Sequence, residues 1–429
     1  MHQGSFDLTV EEISKIEGTA GMQVKVRDGK VEDLKLSLSD YKRFYTQAIR
    51  GKPIAGVPQL LARICGTCSN AHLLCSIQSV EKAIGITPSE QTKLMRRLVT
   101  NGLMIRDHGL HLYVFSLPDV LGKDSILEFD ESNEVEHQLL HDTFTVKASG
   151  NQLSIAFGGR SVHAPYPTIG GFTQFPQREE IEKSLKLLRE ARPAAVRLVK
   201  VFSDCPFEFL DETTFVALKA RDYNFLDGDV ATSSGEVMPE SQLREHLEHT
   251  VIPYSQASGY KFKGDAYMVG ALARINLSKH LLHPNTRRDA GQALEKFPSK
   301  NVFHNNLAQA IEILHCIDES LELLENRKEF PPEVPVAAAQ SDGIGVGVIE
   351  APRGLLYHRL EVKDLKVVSA DIVVPTGQNQ ISMEKNLVGV VEGNLDKEKE
   401  QISFEIEKFV RAYDPCISCA THFLKIKWT

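Results

Sequence analysis

Two short motifs carry the residues best suited to chemistry: Arg63-Ile-Cys65-Gly-Thr-Cys68-Ser-Asn-Ala-His72 and Asp414-Pro415-Cys416-Ile-Ser-Cys419-Ala-Thr-His422. Thiolates are soft ligands that suit nickel, iron and zinc, so two such pairs make a four-sulfur site for any of them. Structural zinc is the plainest occupant, because it needs only four cysteines in tetrahedral array. Two features sit poorly with it. Zinc ribbons and fingers keep their pairs close, because the metal organises a small unit. Here nearly the whole chain separates the pairs, so a large fold must exist before the sulfurs can meet. Each pair is also followed by a histidine that four thiolates would not need as a fifth ligand. The remaining cysteines, Cys75, Cys205 and Cys316, lack metal-ligand spacing and read as inert buried thiols. Seven cysteines in 429 residues is an odd number in a long chain, which makes a disulfide framework a poor reading.

The elements that must position these residues are predominantly helical. On a helix over 60–83, ending at Gly85, Cys65, Cys68 and His72 would project from one face. A second helix is expected from Thr87-Pro88, with Thr87 as cap, to about Phe115. Apolar spacing of three and four predicts further helices over 179–203 and 303–327. Pro415 fits the start of a short helical turn that brings Cys416 and Cys419 together. Residues 21–38 alternate around Arg27-Asp28-Gly29 and read as a β-hairpin. Residues 360–375 look like another strand pair. The Gly- and Pro-rich stretch 150–177 reads as loop with a short strand. The expected fold class is α+β and helix-rich: one large domain over 1–429, with a central helical bundle and small peripheral β-sheets. Hydrophobic residues at 42% and charged residues at 25% are an ordinary globular balance. A net charge of −8 argues against nucleic acid as a partner. No apolar run approaches the ~20 residues that cross a bilayer, and no secretory signal is visible, so the expected location is cytoplasmic.

Taken together, the two cysteine motifs resemble those of the large subunit of nickel–iron hydrogenases. The resemblance runs end to end and includes Lys15-Ile16-Glu17-Gly18, Arg106-Asp107-His108, Glu350-Ala351-Pro352-Arg353-Gly354 and Val374-Pro375-Thr376. It looks closest to the cytoplasmic multi-subunit branch, NAD(P)-linked or sulfhydrogenase-like. The resemblance implies nickel bound by all four cysteines, with Cys65 and Cys416 terminal and Cys68 and Cys419 bridging to an iron that carries carbon monoxide and two cyanides. His422 is implied to complete the metal surroundings. Dihydrogen would be split heterolytically, with Cys416 accepting the proton and Glu17 relaying it. A carboxylate in a dry site has its pKa raised, which suits that work. Arg353 matches an arginine suspended over the metals, and Asp107 and Asp414 match its carboxylate company. Thr376 matches a hydroxyl donor to one cyanide, with Pro375 lining the same pocket. His72 matches a donor to a bridging thiolate. His108 and His111 share a face with Asp107 and read as core or outer support.

Taken singly, these residues have plainer readings: Glu17 a surface or capping carboxylate, Asp414 a helix cap, Pro-Thr-Gly a turn. Two departures from the family pattern matter. Thr46 stands where relatives carry a glutamate that helps bind a Mg or second Fe ion. Residues 423–429 follow His422, where relatives are cut by a maturation endopeptidase, so they read as a cleavable tail or a permanent one. The chain has no further cysteine cluster for iron–sulfur centres, which implies a separate iron–sulfur small subunit. Flavin and electron-transfer subunits and nickel-insertion proteins are implied with it. A regulatory hydrogen sensor, a complex I-like quinone-pocket scaffold and a zinc-stabilised structural protein are the competing readings.

Overall fold

A computed structural model describes residues 4–40 and 44–421; His422 and the 423–429 tail lie outside the described residues. The longer helices run in chain order as α1 (Ser69–Ala83), α2 (Glu90–Leu110), α3 (Glu134–Gly158), α4 (Arg178–Ser203), α5 (Ala271–Ser278), α6 (His304–Asn326), α7 (Pro375–Glu392) and α8 (Lys399–Ala412). Four of them close a ring: α2 packs on α3, α3 on α4, α4 on α6 and α6 on α2. This is the expected central bundle. In it, α2 and α3 meet backbone to backbone at Gly102 and Gly150, where a Cβ on Gly150 would stand 2.9 Å from the Gly102 carbonyl oxygen. Backbone contact there sets the angle at which α2 delivers Asp107 and His108 into the core.

The sheets are small and peripheral, as expected. Strands β1 (Phe6–Val10), β2 (Ala20–Arg27) and β3 (Lys30–Leu38) form an antiparallel meander. Its β2–β3 turn has Asp28 and Gly29 at φ 49° and 73°, the left-handed pair that tight hairpins require. A second meander joins β4 (Gly343–Ala351), β5 (Gly354–Lys363) and β6 (Lys366–Val373). It begins earlier than the 360–375 pair expected, because Gly343, Gly345 and Gly347 weaken the strand signal of β4. Those glycines are required by α1. An added Cβ would lie 2.1 Å from the Ala83 oxygen at Gly343, 1.9 Å from the Ser79 oxygen at Gly345 and 2.6 Å from the Cys75 oxygen at Gly347. The helix backbone therefore rests directly on the strand. Gly345→Ala is expected to destabilise the fold by about 3 kcal/mol, at the top of the overpacking range. It should also lower metal bound per chain if the cysteines hold one, because Cys68 caps α1. A thermal melt and metal analysis of that variant check both.

Four boundaries differ from expectation. Residues 60–83 are not one helix: Val57–Leu61 and the tight turn Ala62–Ile64 end at Cys65, which is extended (φ −136°, ψ 144°), and α1 opens only at Ser69. Cys65 and Cys68 thus sit on a break. The Cys65 sulfur there accepts the Cys68 N–H at 3.3 Å, taking a donor that a continuous helix would have used internally. α2 is capped by Ser89, whose side chain accepts from Thr92 N, so Thr87 and Pro88 precede the helix. Residues 150–158 belong to α3, which ends at Gly159 in the left-handed conformation. Pro375-Thr376-Gly377 opens α7 rather than forming a turn, with Pro375 in the first turn, where a missing N–H costs nothing. Pro415 likewise precedes the last short helix, Ile417–Ala420, which is capped by Cys416.

Candidate metal centre

The fold brings the two cysteine segments together at the junction of α1, the β4–β5 turn, the start of α7 and the chain after α8. The ligand atoms of Cys65, Cys68, Cys416 and Cys419 all lie within 4.8 Å of one another, and all four side chains are buried. Cys65 Sγ is 3.3 Å from Cys416 Sγ, Cys68 Sγ is 3.2 Å from Cys419 Sγ, and Cys416 Sγ is 3.0 Å from Cys419 Sγ. Such packing cannot hold four thiolates without a cation. Burial pushes the Cys416 and Cys419 thiols up, and Cys68 is raised to about 11. Burial would raise Cys65 too, but hydrogen bonds from Cys416, Cys419 and Cys68 outweigh it and hold that thiol down. Metal binding to such a cluster releases thiol protons. A soft divalent ion would displace those protons, so the donor set fits nickel or a nickel–iron pair, and on charge alone it also fits zinc.

The surroundings separate those options by their asymmetry. On one side, Glu17 Oε2 accepts from the Cys416 thiol at 3.1 Å and from Ser418 N at 3.1 Å, and Glu17 Oε1 accepts from the Ser418 hydroxyl. Burial pushes the Glu17 carboxyl up, the Cys65 sulfur adds to the rise, and bonds from Ser418 and Cys416 oppose it. The N-terminal segment reaches the sulfur because Gly18, at φ 86°, lies so close to Ile417 that a Cβ would stand 2.7 Å from Ile417 Cβ. On the other side, Arg353 is buried. It donates to Asp107 Oδ1 at 2.7 Å, to Asp414 Oδ1 at 2.9 Å and to the Asp414 carbonyl at 2.9 Å. Asp414 presents both acceptors because it turns the chain at φ 52°, a conformation aspartate tolerates better than most residues. Gln309 Nε2 donates to its other oxygen at 2.9 Å.

Two further groups touch the sulfur segments. His72 Nε2 is 3.6 Å from Cys419 Sγ, and its Nδ1 is 3.2 Å from His358 Nε2. Thr376 accepts the Cys416 N–H at 2.9 Å, which leaves its own proton to donate. Arg353, Thr376, His72, Pro375 and three of the cysteines line a cavity of ≈ 10 Å³, with Ala351 and Leu356 on its apolar wall. That is about the room one small molecule occupies. A larger open cleft of ≈ 840 Å³ includes Lys82, Arg97 and Asp222 and none of these residues, so size alone does not identify the reacting place.

Every site residue expected from the sequence and described in the structure gathers here; His422 is outside the described residues. His108 and His111 are buried support: His108 meets Glu312 at 2.9 Å, and His111 meets Gln309 at 2.6 Å and the Arg411 carbonyl at 2.8 Å. Cys75 and Cys316 are buried thiols with raised pKa, whereas Cys205 is only partly buried. Sequence reasoning missed Ser418, Gln309 and His358. Ser418 alone had a local signal, standing inside the second cysteine motif. Among the described residues, the four cysteines are the only group of three or more potential ligand side chains gathered for a metal. No helix among them is long and apolar enough to cross a membrane.

A family profile described as nickel-dependent hydrogenase matches residues 44–152 and 228–422. The chain is 32% identical over 424 residues to the sulfhydrogenase 1 subunit alpha of Pyrococcus furiosus, covering 98% of both. It is 27% identical over 479 residues to the NAD-reducing hydrogenase subunit beta of Cupriavidus necator, covering 97% of this chain and 95% of that one. Among solved structures, it superposes on an NAD+-reducing [NiFe]-hydrogenase in the H2-reduced state with a TM-score of 0.90 at 24% identity, covering 98% of this chain and 100% of that one.

Proposed function

The chain belongs to the nickel-dependent hydrogenase family, and from that premise we propose that it is the catalytic large subunit of a nickel–iron hydrogenase that splits or forms dihydrogen reversibly. The observation that carries the reading is the four-sulfur cluster flanked by Glu17 on one side and Arg353 on the other. A structural zinc site has no use for either flank.

Cys65, Cys68, Cys416 and Cys419 would hold nickel together with an iron that carries carbon monoxide and two cyanides. When bound, that pair supplies soft Lewis-acid and redox chemistry for the H–H bond. The remaining work falls to side chains. Glu17 takes and returns the proton at Cys416 Sγ, at a distance of 3.1 Å, and burial keeps its affinity for that proton above that of an ordinary carboxylate. Ser418 holds both Glu17 oxygens and so fixes their direction. Arg353 presents a permanent positive charge to the cavity, and Asp107 and Asp414 keep it aimed. Thr376, accepting from the Cys416 N–H, keeps a hydroxyl proton to donate toward the cavity, and His72 Nε2, 3.6 Å from Cys419 Sγ, would donate to that sulfur in the tautomer that carries its proton there. Ala351, Leu356 and Pro375 keep water out. Arg353→Lys keeps the charge but loses the planar fork, and turnover per nickel should fall about 10²–10³-fold. Hydrogen-dependent dye reduction normalised to metal content measures it.

Electrons need an outlet, and an iron–sulfur small subunit is the partner that supplies it. Flavin and electron-transfer subunits would pass them to NAD(P) or another soluble carrier, in the cytoplasm. Thr46 offers a neutral hydroxyl where a Mg or second Fe ion would want a carboxylate, so a second ion there would have to be held by other ligands. A single domain over 1–429, removal of 423–429 by an endopeptidase and nickel insertion by dedicated proteins complete the proposal. Mass spectrometry of the mature chain reads whether it ends at His422. The test of the whole is metal analysis of the purified complex with a hydrogen-dependent dye assay. Nickel and iron in near-equal amounts with activity support it; zinc alone and no activity overturn it.

A further inference from the structure

Arg274, on α5, is fully enclosed and spends all five of its N–H donors. Nε and Nη2 grip Glu312 at 2.6 and 2.7 Å. Nη1 donates to Glu350 at 2.8 Å and to the Ala351 carbonyl at 3.1 Å. Nη2 donates its second proton to the Pro352 carbonyl at 3.0 Å. Those two carbonyls belong to the residues immediately before Arg353. Ala351 pairs with Gly354 across the β4–β5 hairpin, so Pro352 and Arg353 are its two turn residues. The turn is also pressed onto the start of α5: a Cβ on Gly354 (φ 127°) would lie 2.6 Å from Val269 and 2.8 Å from Gly270 N.

The contacts close on themselves. Arg353 holds Asp107, the next residue on α2 is His108, His108 meets Glu312 at 2.9 Å, and Glu312 holds Arg274, which returns to the turn. A buried ion pair needs only a carboxylate and a cation. Here two of five donors are committed to backbone oxygens on the one turn that carries Arg353. Only a planar fork can serve two carboxylates and two carbonyls at once.

We infer that Arg274 is a positioning residue for the proposed reaction: it clamps the Pro352-Arg353 turn through the Ala351 and Pro352 carbonyls and so sets where the Arg353 guanidinium stands in the cavity shared with Cys68, Cys416 and Cys419. The inference rests on the reading of Arg353 given above.

The test is a double-mutant cycle on the purified holoenzyme complex with Arg274→Lys, Arg353→Lys and the pair. It reads kcat per bound nickel, KM for hydrogen and the infrared stretching bands of the iron's diatomic ligands. Arg274→Lys is expected to lower kcat per nickel about 10–100-fold, the cost of misplacing a reacting group by about an ångström, to leave KM unchanged and to move the bands. Added to Arg353→Lys, it should lower kcat no further than about two-fold, because both changes remove one function. Losses that multiply, or an Arg274→Lys enzyme with wild-type kcat per nickel and unmoved bands, overturn the inference. If Arg274→Lys binds no nickel, Glu350→Gln replaces it in the same cycle under the same criteria, since it loosens one anchor while leaving the Arg274–Glu312 pair. An Arg353→Lys enzyme running at wild-type rate would instead overturn the reading of Arg353 itself, which keeps the two failures apart.

Discussion

Cys416→Ser should take nickel content and hydrogen-dependent dye reduction to background together. The Cys416 sulfur is the hub of the cluster, 3.3 Å from Cys65, 3.0 Å from Cys419 and 3.1 Å from the Glu17 carboxylate. A serine hydroxyl is a hard, neutral donor with no accessible anion near pH 7, so it gives up both the soft bond to nickel and the proton-accepting atom. Cys75→Ser is the matched control. Its thiol meets the Gly347 and Leu356 carbonyls, each at 3.4 Å, which a hydroxyl can also serve. That variant should keep its nickel. Metal analysis and dye reduction on both variants decide the matter, and a Cys416→Ser enzyme that retains nickel and turns over would refute the assignment.

Glu17→Gln should separate binding from turnover. The amide is isosteric, keeps an oxygen for the Ser418 N–H and cannot carry the proton. Nickel content should stay at the wild-type level while turnover falls about 10²–10⁴-fold, the usual worth of a positioned general acid–base group. The exchange of deuterium gas against water should fall with it. Those assays see a protein whose metal site is intact, so a loss cannot be blamed on unfolding. A nickel-loaded Glu17→Gln enzyme at full rate would move the proton path elsewhere, with Arg353 the next group to test.

The sequence was most legible where one chemistry acts locally. The stripes over 179–203 and 303–327 became α4 and α6 within a residue, because a surface-to-core helix needs that spacing. The Asp28-Gly29 turn formed for an equally local reason. The cysteines were legible as types and pairs, but not in their path. A helical spacing of three suggested one face, whereas the Cys65 sulfur competes for the Cys68 amide and breaks the helix. Beyond the Pro-Thr-Gly segment α7 has no sequence signature, because Gln378, Asn379, Gln380 and Ser382 are buried polar residues that blur any apolar period. Gln309, His358 and Arg274 carry no local signal. Each matters only through partners far along the chain, Asp414, His72 and the Pro352 carbonyl. A single sequence does not display such partnerships.

The glycines of β4 have a consequence for how the protein can vary. At Gly345 the atom that refuses a side chain is the Ser79 carbonyl oxygen of α1, not another side chain. A clash between side chains can be relieved by trimming the neighbour, and selection finds such suppressors readily. A clash with the main chain offers nothing to trim. Damage at Gly345 should therefore have no second-site suppressor among its contacts, only changes that shift α1 bodily, and those carry Cys68 with them. In a saturation library selected for hydrogen oxidation, this position should stand apart from the core around it: depleted in every background, while neighbouring apolar positions exchange with one another.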